Sequence, residues 1–418
     1  MKIGDKNSNH VTIIGAGIVG MSCAINLIRE GYMVTVIDRN EPGEGCSQGN
    51  AGVFSSDYFV PLSIPGMLRQ VPRWLLDPLG PLVIRWRHLP ELLPWLIHFL
   101  RSGFPSRVEE ICNALEPLLN SSLEEHQALA KGTEAQDLIR AQGCLYVYEN
   151  LKDLKKDSVS WQLRKSRGTK YELLNAKQIR EREPALATKY EIGYFLSNLG
   201  HTVEPMLLVK RLANHFKQSG GVILKTEVKD ILTGFDGPNE LVTDQGILDV
   251  KILVIAAGAF SNQLTSKLGS SVPLQGERGY HATIANSGVS LSVPIIVSTH
   301  KFIATPMSSG IRIAGTAEYG GLKAKPNFAR SKILVKHAKN LFPNIKTFDV
   351  SEWAGLRPTL PDSLPVIGPS PHLPNLYFAF GHQHIGLTAG PKTGRIISDI
   401  ISNRRPTIDL HPFRADRF

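Results

Sequence analysis

Three groups of residues in this chain have types and spacing that could do chemistry. The first is Gly15-Ala16-Gly17-Ile18-Val19-Gly20, a GxGxxG run that follows the β-branched stretch Val11–Ile14. Gly15 permits a tight turn out of a strand, Gly17 lets a pyrophosphate approach bare backbone, and Gly20 lets a helix pack closely on the sheet. The amides at that helix start, Ile18 and Val19 among them, then face the phosphates. Asp38, 23 residues after Gly15 and followed by Arg39, stands where a carboxylate would accept ribose hydroxyls. The second group is Gly355-Leu356-Arg357-Pro358, whose guanidinium presents a planar fork to a carboxylate. The third is the glycine-rich stretch Gly381-His382-Gln383-His384-Ile385-Gly386-Leu387-Thr388, where His382 and His384 are candidates to touch a cofactor or substrate. Two histidines with no third ligand argue against a metal.

The elements that must position these groups follow from periodicity. Residues 11–14 read as a strand, 21–29 as a helix closed by Gly31, and 33–37 as a second strand, a βαβ unit that implies a parallel sheet. Residues 107–140 read as helix, 143–148 as strand, 222–232 as one alternating strand and 252–256 as a strand running into Ala257-Gly258. Several strand-like runs over 274–316 imply a mixed or antiparallel second sheet. Residues 332–341 read as helix, 376–380 as strand and 391–402 as the final helix. The architecture expected is α/β: a Rossmann-like domain from 1–60, 195–275 and 352–418, and a substrate domain from 61–194 and 276–351.

A chain of 418 residues is long for one hydrophobic core and favours two domains. A net charge of +10 invites nucleic acid, an anionic membrane or anionic small molecules. The basic residues are scattered and no nucleic-acid motif is present, so nucleic acid is not expected. Cys23, Cys46, Cys112 and Cys144 form neither a CxxC pair nor a zinc pattern, which suits a reducing compartment. The opening MKIGDKNSNH lacks a leader's apolar stretch and no apolar run spans a bilayer. A cytoplasmic protein is expected, with peripheral attachment to the inner face of the membrane open. The segment 55–110 interleaves prolines with Trp74, Trp86, Trp95, Arg69, Arg73, Arg85 and Arg87, which reads as a substrate lid or as a membrane-contacting surface.

The fingerprint alone does not separate NAD from FAD. Small residues that recur far apart, in Cys46-Ser47-Gln48-Gly49-Asn50-Ala51-Gly52, in Ala257-Gly258 and in Gly386–Thr388, imply a long cofactor met by both ends of the chain. These stretches, with AGLRPTLPDSLPVIG and GHQHIGLTAGPKTGRIISDII, resemble the D-amino-acid oxidase superfamily of flavoproteins, and within it the bacterial D-amino-acid dehydrogenases, over essentially the whole chain. The resemblance implies extended FAD held by Gly15, Gly17, Ile18, Val19, Gly20, Asp38, Arg39, Ser47, Asn50, Ala51, Gly52, Val228, Ala257, Gly258, Gly386, Leu387 and Thr388. It implies Arg357 on the substrate carboxylate and Tyr280 of Arg278-Gly279-Tyr280-His281 beside it, and strand alternation then puts His281 on the opposite face. The RGYH form resembles dehydrogenases of D-hydroxyproline. Some relatives attach flavin covalently at the position of Gly49 or through a C-terminal cysteine; glycine at 49, with no cysteine after Cys144, implies noncovalent FAD. The reaction implied is hydride transfer from the α-carbon of a D-amino acid or cyclic imino acid to flavin N5, with electrons passed to a quinone or other carrier. The alternatives are a glycine- or sarcosine-type oxidase using oxygen, and a non-catalytic flavin-bearing subunit for relay or assembly.

Overall fold

The computed structural model describes residues 9–66, 80 and 82–418. Prolines and basic or aromatic residues of the 55–110 segment that fall in 67–79 or at 81, Trp74 included, lie outside the described residues.

The β-branched run at the start forms the strand His10–Ile14, central in a six-stranded sheet. Its neighbours in order are Val222–Lys225, Met33–Asp38, the strand itself, Ile252–Ile255, Leu376–Phe380 and Val366–Pro369. All pairings are parallel except the last, an antiparallel edge. Strands buried on both faces read as continuous apolar runs, and Val11, Ile13, Val36, Leu253, Val254 and Ile255 are accordingly inaccessible to solvent. The glycine helix, Ile18–Arg29, packs on one face against the final helix, Gly386–Ile401. A Cβ on Gly394 would come 2.4 Å from the Ser22 carbonyl carbon, so glycine there sets how near the two helices lie.

A second, nine-stranded sheet runs in the order Val350–Thr359, Gln275–Ile284, Gly310–Tyr319, Phe302–Met307, Ile295–Val297, Cys144–Tyr148, Ile192–Leu196 and Glu172–Asn175, with Leu82–Ile84 beside Gly310–Tyr319. Its pairings are mostly antiparallel, with two parallel ones. Helix Ala329–Leu341 buries Leu334, Ala338 and Leu341 in the same core as Ala282, Ile284 and Ile313. The Val350–Thr359 strand is an edge of this second sheet, so a division at residue 352 falls inside a strand, as does one at 195.

Four element readings are corrected. Residues 107–140 are helices Pro105–Leu119 and Ser122–Ala130, a 3-10 turn Glu134–Leu138 and the short strand Ile139–Arg140. The break after Ala130 passes through Gly132 at φ 76°, a left-handed turn that ends a helix. The alternation over 222–232 is two strands in two sheets, Val222–Lys225 and Val228–Gly234, divided where the Thr226 amide donates to Asp38 O. The helix near 332 begins three residues earlier, at Ala329. The final helix starts at Gly386, with Pro391 inside it. Proline has no N–H for the carbonyl four residues back, that of Leu387. His126 Nε2 meets that carbonyl at 2.7 Å, so the histidine supplies the donor the helix lacks.

Candidate active site

The glycine turn has the tightness its spacing predicts. Gly15 sits at φ 114°, its amide donates to Ile37 O at 2.7 Å, and a Cβ there would lie 2.3 Å from Ala256 O. Only glycine holds that conformation without strain. Asp38 ends the second strand and accepts the Ala16 amide at 2.8 Å through Oδ2 and the Asn40 amide at 2.9 Å through Oδ1. Ser47 Oγ accepts the Ile18 amide at 3.0 Å, which fastens the following loop to the helix start. Arg39 lies 3.9 Å over the Phe260 ring and pairs with Glu227 at 3.5 Å, closing one end of the site.

A single cleft begins at this turn and encloses about 1310 Å³ of open space, its mouth included. Gly15, Gly17, Ile18, Val19, Asp38, Arg39, Ser47, Asn50, Val228, Ala257, Gly258, Gly386 and Leu387 line it, as does His382. The walls come from both extremities of the chain and from its middle, as a long cofactor requires. Gly20 does not line the cleft. It lies beneath the turn, where its missing Cβ would sit 1.9 Å from Gly15 O. Ala51, Gly52 and Thr388 also stand off it. Thr388 Oγ1 donates to Val53 O at 3.3 Å, and Gly52 turns at φ 81° with Thr202 O 2.8 Å from where its Cβ would be. The cradle fits FAD on independent grounds. Gln383, to which the sequence reading gave no role, lines the cleft in a left-handed conformation at φ 49°, and both polar atoms of its buried amide lack a protein partner. Buried amides are normally satisfied, and strain of this kind gathers at ligand sites. Asp38→Ala removes the carboxylate that shapes the ribose end. It should raise the FAD dissociation constant by about 10–100-fold, read by titrating apoprotein and following flavin fluorescence.

The Val350–Thr359 strand runs along the cleft and carries the arginine. Leu356 and Pro358 line the cleft, and Arg357 lies on the alternate face, where its guanidinium covers Gly279 of the neighbouring strand. A Cβ on Gly279 would lie 2.5 Å from Arg357 Cζ, so the bare backbone is what admits the guanidinium. Cross-strand register pairs Arg357 with Glu277, and Arg357 Nη1 donates to Glu277 Oε1 at 2.5 Å and to Thr316 O at 3.2 Å. The other oxygen of Glu277 accepts Tyr319 OH at 3.1 Å and Thr359 Oγ1 at 3.3 Å. Glu277 and Tyr319 were not foreseen; they come from opposing strands, and no local pattern reveals them.

The same register fixes which face the RGYH side chains take, and it reverses the expectation for His281. Glu277, Gly279 and His281 share the Arg357 face. His281 stacks on Trp353 with ring centroids 5.3 Å apart and meets Gly49 O at 3.2 Å through Nδ1. Tyr280 points to the opposite face, with its ring in the core of the second sheet. Its hydroxyl pairs with Glu318 and accepts the Asn327 amide at 2.8 Å. The structure therefore does not bring Tyr280 to Arg357. Arg312, also on the Arg357 face, donates to Gln48 O and Asn50 O and pairs with Glu204 at 3.3 Å, which ties the 48–50 loop to the sheet.

His384 joins the arginine cluster and His382 does not. His384 lies edge-on to Tyr58 at 5.6 Å, and burial, reinforced by the charge of Arg357, pushes its pKa down to about 4. His382 turns inward, its Nε2 3.0 Å from Thr393 Oγ1, and burial lowers it to about 3. Burial raises Cys46, which lines the cleft, to about 11, with Arg357 opposing, so its thiol stays protonated.

Four buried histidines, His126, His201, His281 and His382, share this depression, with values of about 4, 4, 3 and 3, burial being the largest cause in each. A folded-state pKa below the unfolded ~6.5 means the unfolded chain binds more protons between the two. Stability is then complete above about pH 6.5 and falls as pH drops toward 4, by up to about 1.4 kcal/mol per pH unit per histidine. Thermal melts at pH 7.5 and pH 5.5 should differ by many degrees. A flat Tm over that interval would mean these imidazoles are not buried neutral.

A Rossmann-like dinucleotide cradle joined to a mixed sheet that carries an arginine cluster defines a flavin-dependent oxidoreductase. The family model described as DAO, FAD dependent oxidoreductase, matches residues 10–400, and the chain belongs to that family. Among its relatives, a D-amino-acid oxidase of Bradyrhizobium diazoefficiens is 39% identical over 98% of this chain and 99% of its own length. A D-amino acid dehydrogenase of Vibrio vulnificus is 31% identical over 94% of this chain and 96% of its own. Among solved structures, glycine oxidase from Bacillus cereus superposes with a TM-score of 0.75 at 20% identity, covering 98% of this chain and 99% of that one. L-proline dehydrogenase from P. horikoshii gives 0.75 at 18%, covering 98% and 97%. At such identities these two speak for the fold. No group of described His, Cys, Asp or Glu residues is arranged to hold a metal, and no helix among the described residues is long and apolar enough to cross a membrane.

Proposed function

We propose that the chain oxidises the carbon–nitrogen bond of a D-amino acid or a cyclic imino acid of the D-proline or hydroxy-D-proline type, and that its electrons pass to a quinone or another carrier. The observation that carries this reading is the Arg357 guanidinium, held on Gly279 by Glu277 on a strand whose Leu356 and Pro358 line the cleft, with one nitrogen committed to Glu277 and the rest of the fork available to a carboxylate. The names of the relatives support the substrate class.

FAD, when bound, accepts the two electrons of the oxidation. The chain's residues bind and orient. Gly15, Gly17, Ile18 and Asp38 would hold the phosphate and ribose portion, and Gln383 and Gly386 the other end. Arg357 fixes the substrate carboxylate. Glu277 offsets one unit of its charge, so the empty site is not left with an uncompensated cation. His384, held neutral, adds no positive charge beside an incoming amine. The imine product then hydrolyses in water to the keto acid and ammonia, or opens when cyclic. Attachment of FAD is noncovalent in this reading: a side chain at Gly49 would lie 1.9 Å from the Trp353 ring, so no nucleophile fits at that position.

Anaerobic mixing of the holoenzyme with D- and L-amino acids and proline derivatives tests the reading. Flavin absorbance near its visible maximum should fall with D-substrates only. A flavin that none of them bleaches would leave a relay or assembly subunit as the better reading. Oxygen as acceptor is favoured by one observation, the oxidase name of the 39% identical relative. Stoichiometric peroxide in air would decide for it.

A further inference from the structure

The final helix opens on the cleft, and a buried histidine from a distant part of the chain holds its first turn. Gly386 and Leu387 line the cleft, so the positive end of a 16-residue helix borders the cofactor site. Pro391 weakens that turn from within. It offers no N–H to the Leu387 carbonyl, and its ring crowds the same carbonyl. Leu387 is buried, and a buried carbonyl left bare is costly. His126, on the helix Ser122–Ala130, meets it at 2.7 Å through Nε2. The imidazole has no other hydrogen bond among the described residues. It is buried, its Nδ1 lacks a partner, and its ring stacks on Phe54 with centroids 3.8 Å apart. A carbonyl only accepts, so the proton of the neutral ring sits on Nε2. Phe54 stands between Val53, whose carbonyl accepts Thr388 Oγ1 at 3.3 Å, and Ser55, whose amide donates to Thr388 Oγ1 at 3.5 Å. Histidine, phenylalanine and threonine thus brace one turn. Farther along, Lys392 donates to Asn120 and Ser121 at 3.3 Å and Arg395 pairs with Glu125, but those contacts lie beyond the cleft.

We propose that His126 is a positioning residue for the flavin: by bonding the Leu387 carbonyl that Pro391 leaves without a donor, it holds the positive end of the last helix against the cleft and so favours the reduced cofactor over the oxidised one. Reduction adds negative charge to the cofactor, and the positive end of a helix stabilises an anion. A turn fixed at the cleft therefore stabilises the reduced form more. Without the histidine donor the turn can satisfy its carbonyl only by shifting toward water, and cofactor binding must then draw it back. His126 touches neither substrate nor cofactor in this account. It acts through Leu387.

The test reads two quantities, the FAD dissociation constant of the apoprotein and the midpoint potential of the holoenzyme in a dye-equilibrated titration. Neither needs an amino-acid substrate, so a failure here is distinct from a failure of the proposed reaction. His126→Phe keeps a ring on Phe54 and removes the donor. It should weaken oxidised FAD by about tenfold and reduced FAD by about a hundredfold. The tenfold difference corresponds to a potential about 30 mV lower. His126→Gln, whose amide N–H can stand where Nε2 stood, should recover most of both. The most discriminating variant is Pro391→Ala, which gives the helix its own N–H for Leu387 O. Alone it should change little; combined with His126→Phe it should restore affinity and potential. Should His126→Phe fail to fold, His126→Asn, whose shorter amide falls short of Leu387 O, is compared with His126→Gln instead. A donor-less variant that loses only thermal stability, with affinity and potential unchanged, would reduce His126 to packing and overturn the proposal. So would a Pro391→Ala that fails to rescue His126→Phe, or an asparagine variant with the potential of the glutamine one.

Discussion

Arg357→Ala is expected to lower kcat/KM for the amino-acid substrate by about 10³-fold or more while leaving the visible spectrum of bound FAD intact. Two losses combine. The substrate carboxylate loses a charge-assisted, two-point contact in a partly desolvated place, and truncating one partner of such a pair costs about 2–5 kcal/mol. Glu277 loses its partner as well. It is 5% exposed and retains only the Tyr319 and Thr359 hydroxyls. An anion that had been offset then faces the incoming carboxylate. Cofactor binding should survive, because Leu356 and Pro358, not Arg357, line the cleft. The second loss gives the experiment its resolving power. Adding Glu277→Gln to Arg357→Ala removes the stranded charge, so the double variant should regain about tenfold over the single one. A double variant no better than Arg357→Ala would show that Glu277 does not act through the arginine, and unchanged kinetics in Arg357→Ala would remove that residue from the substrate site.

What the sequence makes legible here is what short-range geometry dictates. The turn at Gly15, the carboxylate at Asp38 and the small residues at Ala257 and Gly258 each follow from a strand end and its next few residues, and they line one cleft. The arginine is legible as a motif, but its partner is not. Glu277 is 80 residues away and meets Arg357 only through antiparallel register. The face taken by Tyr280 and His281 is decided by the same register, and alternation alone tells that the two differ without telling which is inside. Proline marked the start of the last helix in the sequence reading. The structure carries the helix five residues further back, since His126, from a distant helix, supplies the missing donor to Leu387 O. Gln383 lay between two histidines that drew attention for their chemistry. Its significance is conformational, a left-handed glutamine with an unpartnered amide, and composition does not carry that.

Gly20→Ala and Gly17→Ala should both abolish tight FAD binding, for different reasons that a melt can separate. A methyl at Gly20 would stand 1.9 Å from Gly15 O and 3.0 Å from Gly15 C, both backbone atoms. The turn has nowhere to retreat. Gly15 is held by its bond to Ile37 O, and a displacement outward carries it toward Ala256 O, already in the space a Cβ would take. Overpacking of this kind costs about 1–3 kcal/mol or more, so Gly20→Ala should lower the Tm of the apoprotein by several degrees and weaken FAD binding by at least about 100-fold. At Gly17 the nearest atom to an added methyl is Ser47 Oγ at 3.4 Å, an ordinary contact. The fold should therefore accept Gly17→Ala with its apoprotein Tm unchanged. The methyl would occupy the space that a pyrophosphate needs beside the helix start, and affinity should fall by a similar factor. The contrast is the diagnostic: a stability defect at position 20 and a pure ligand defect at position 17. If Gly17→Ala bound FAD as well as the wild type, the phosphates would not pass over this turn, and the cradle would have to be placed elsewhere in the cleft.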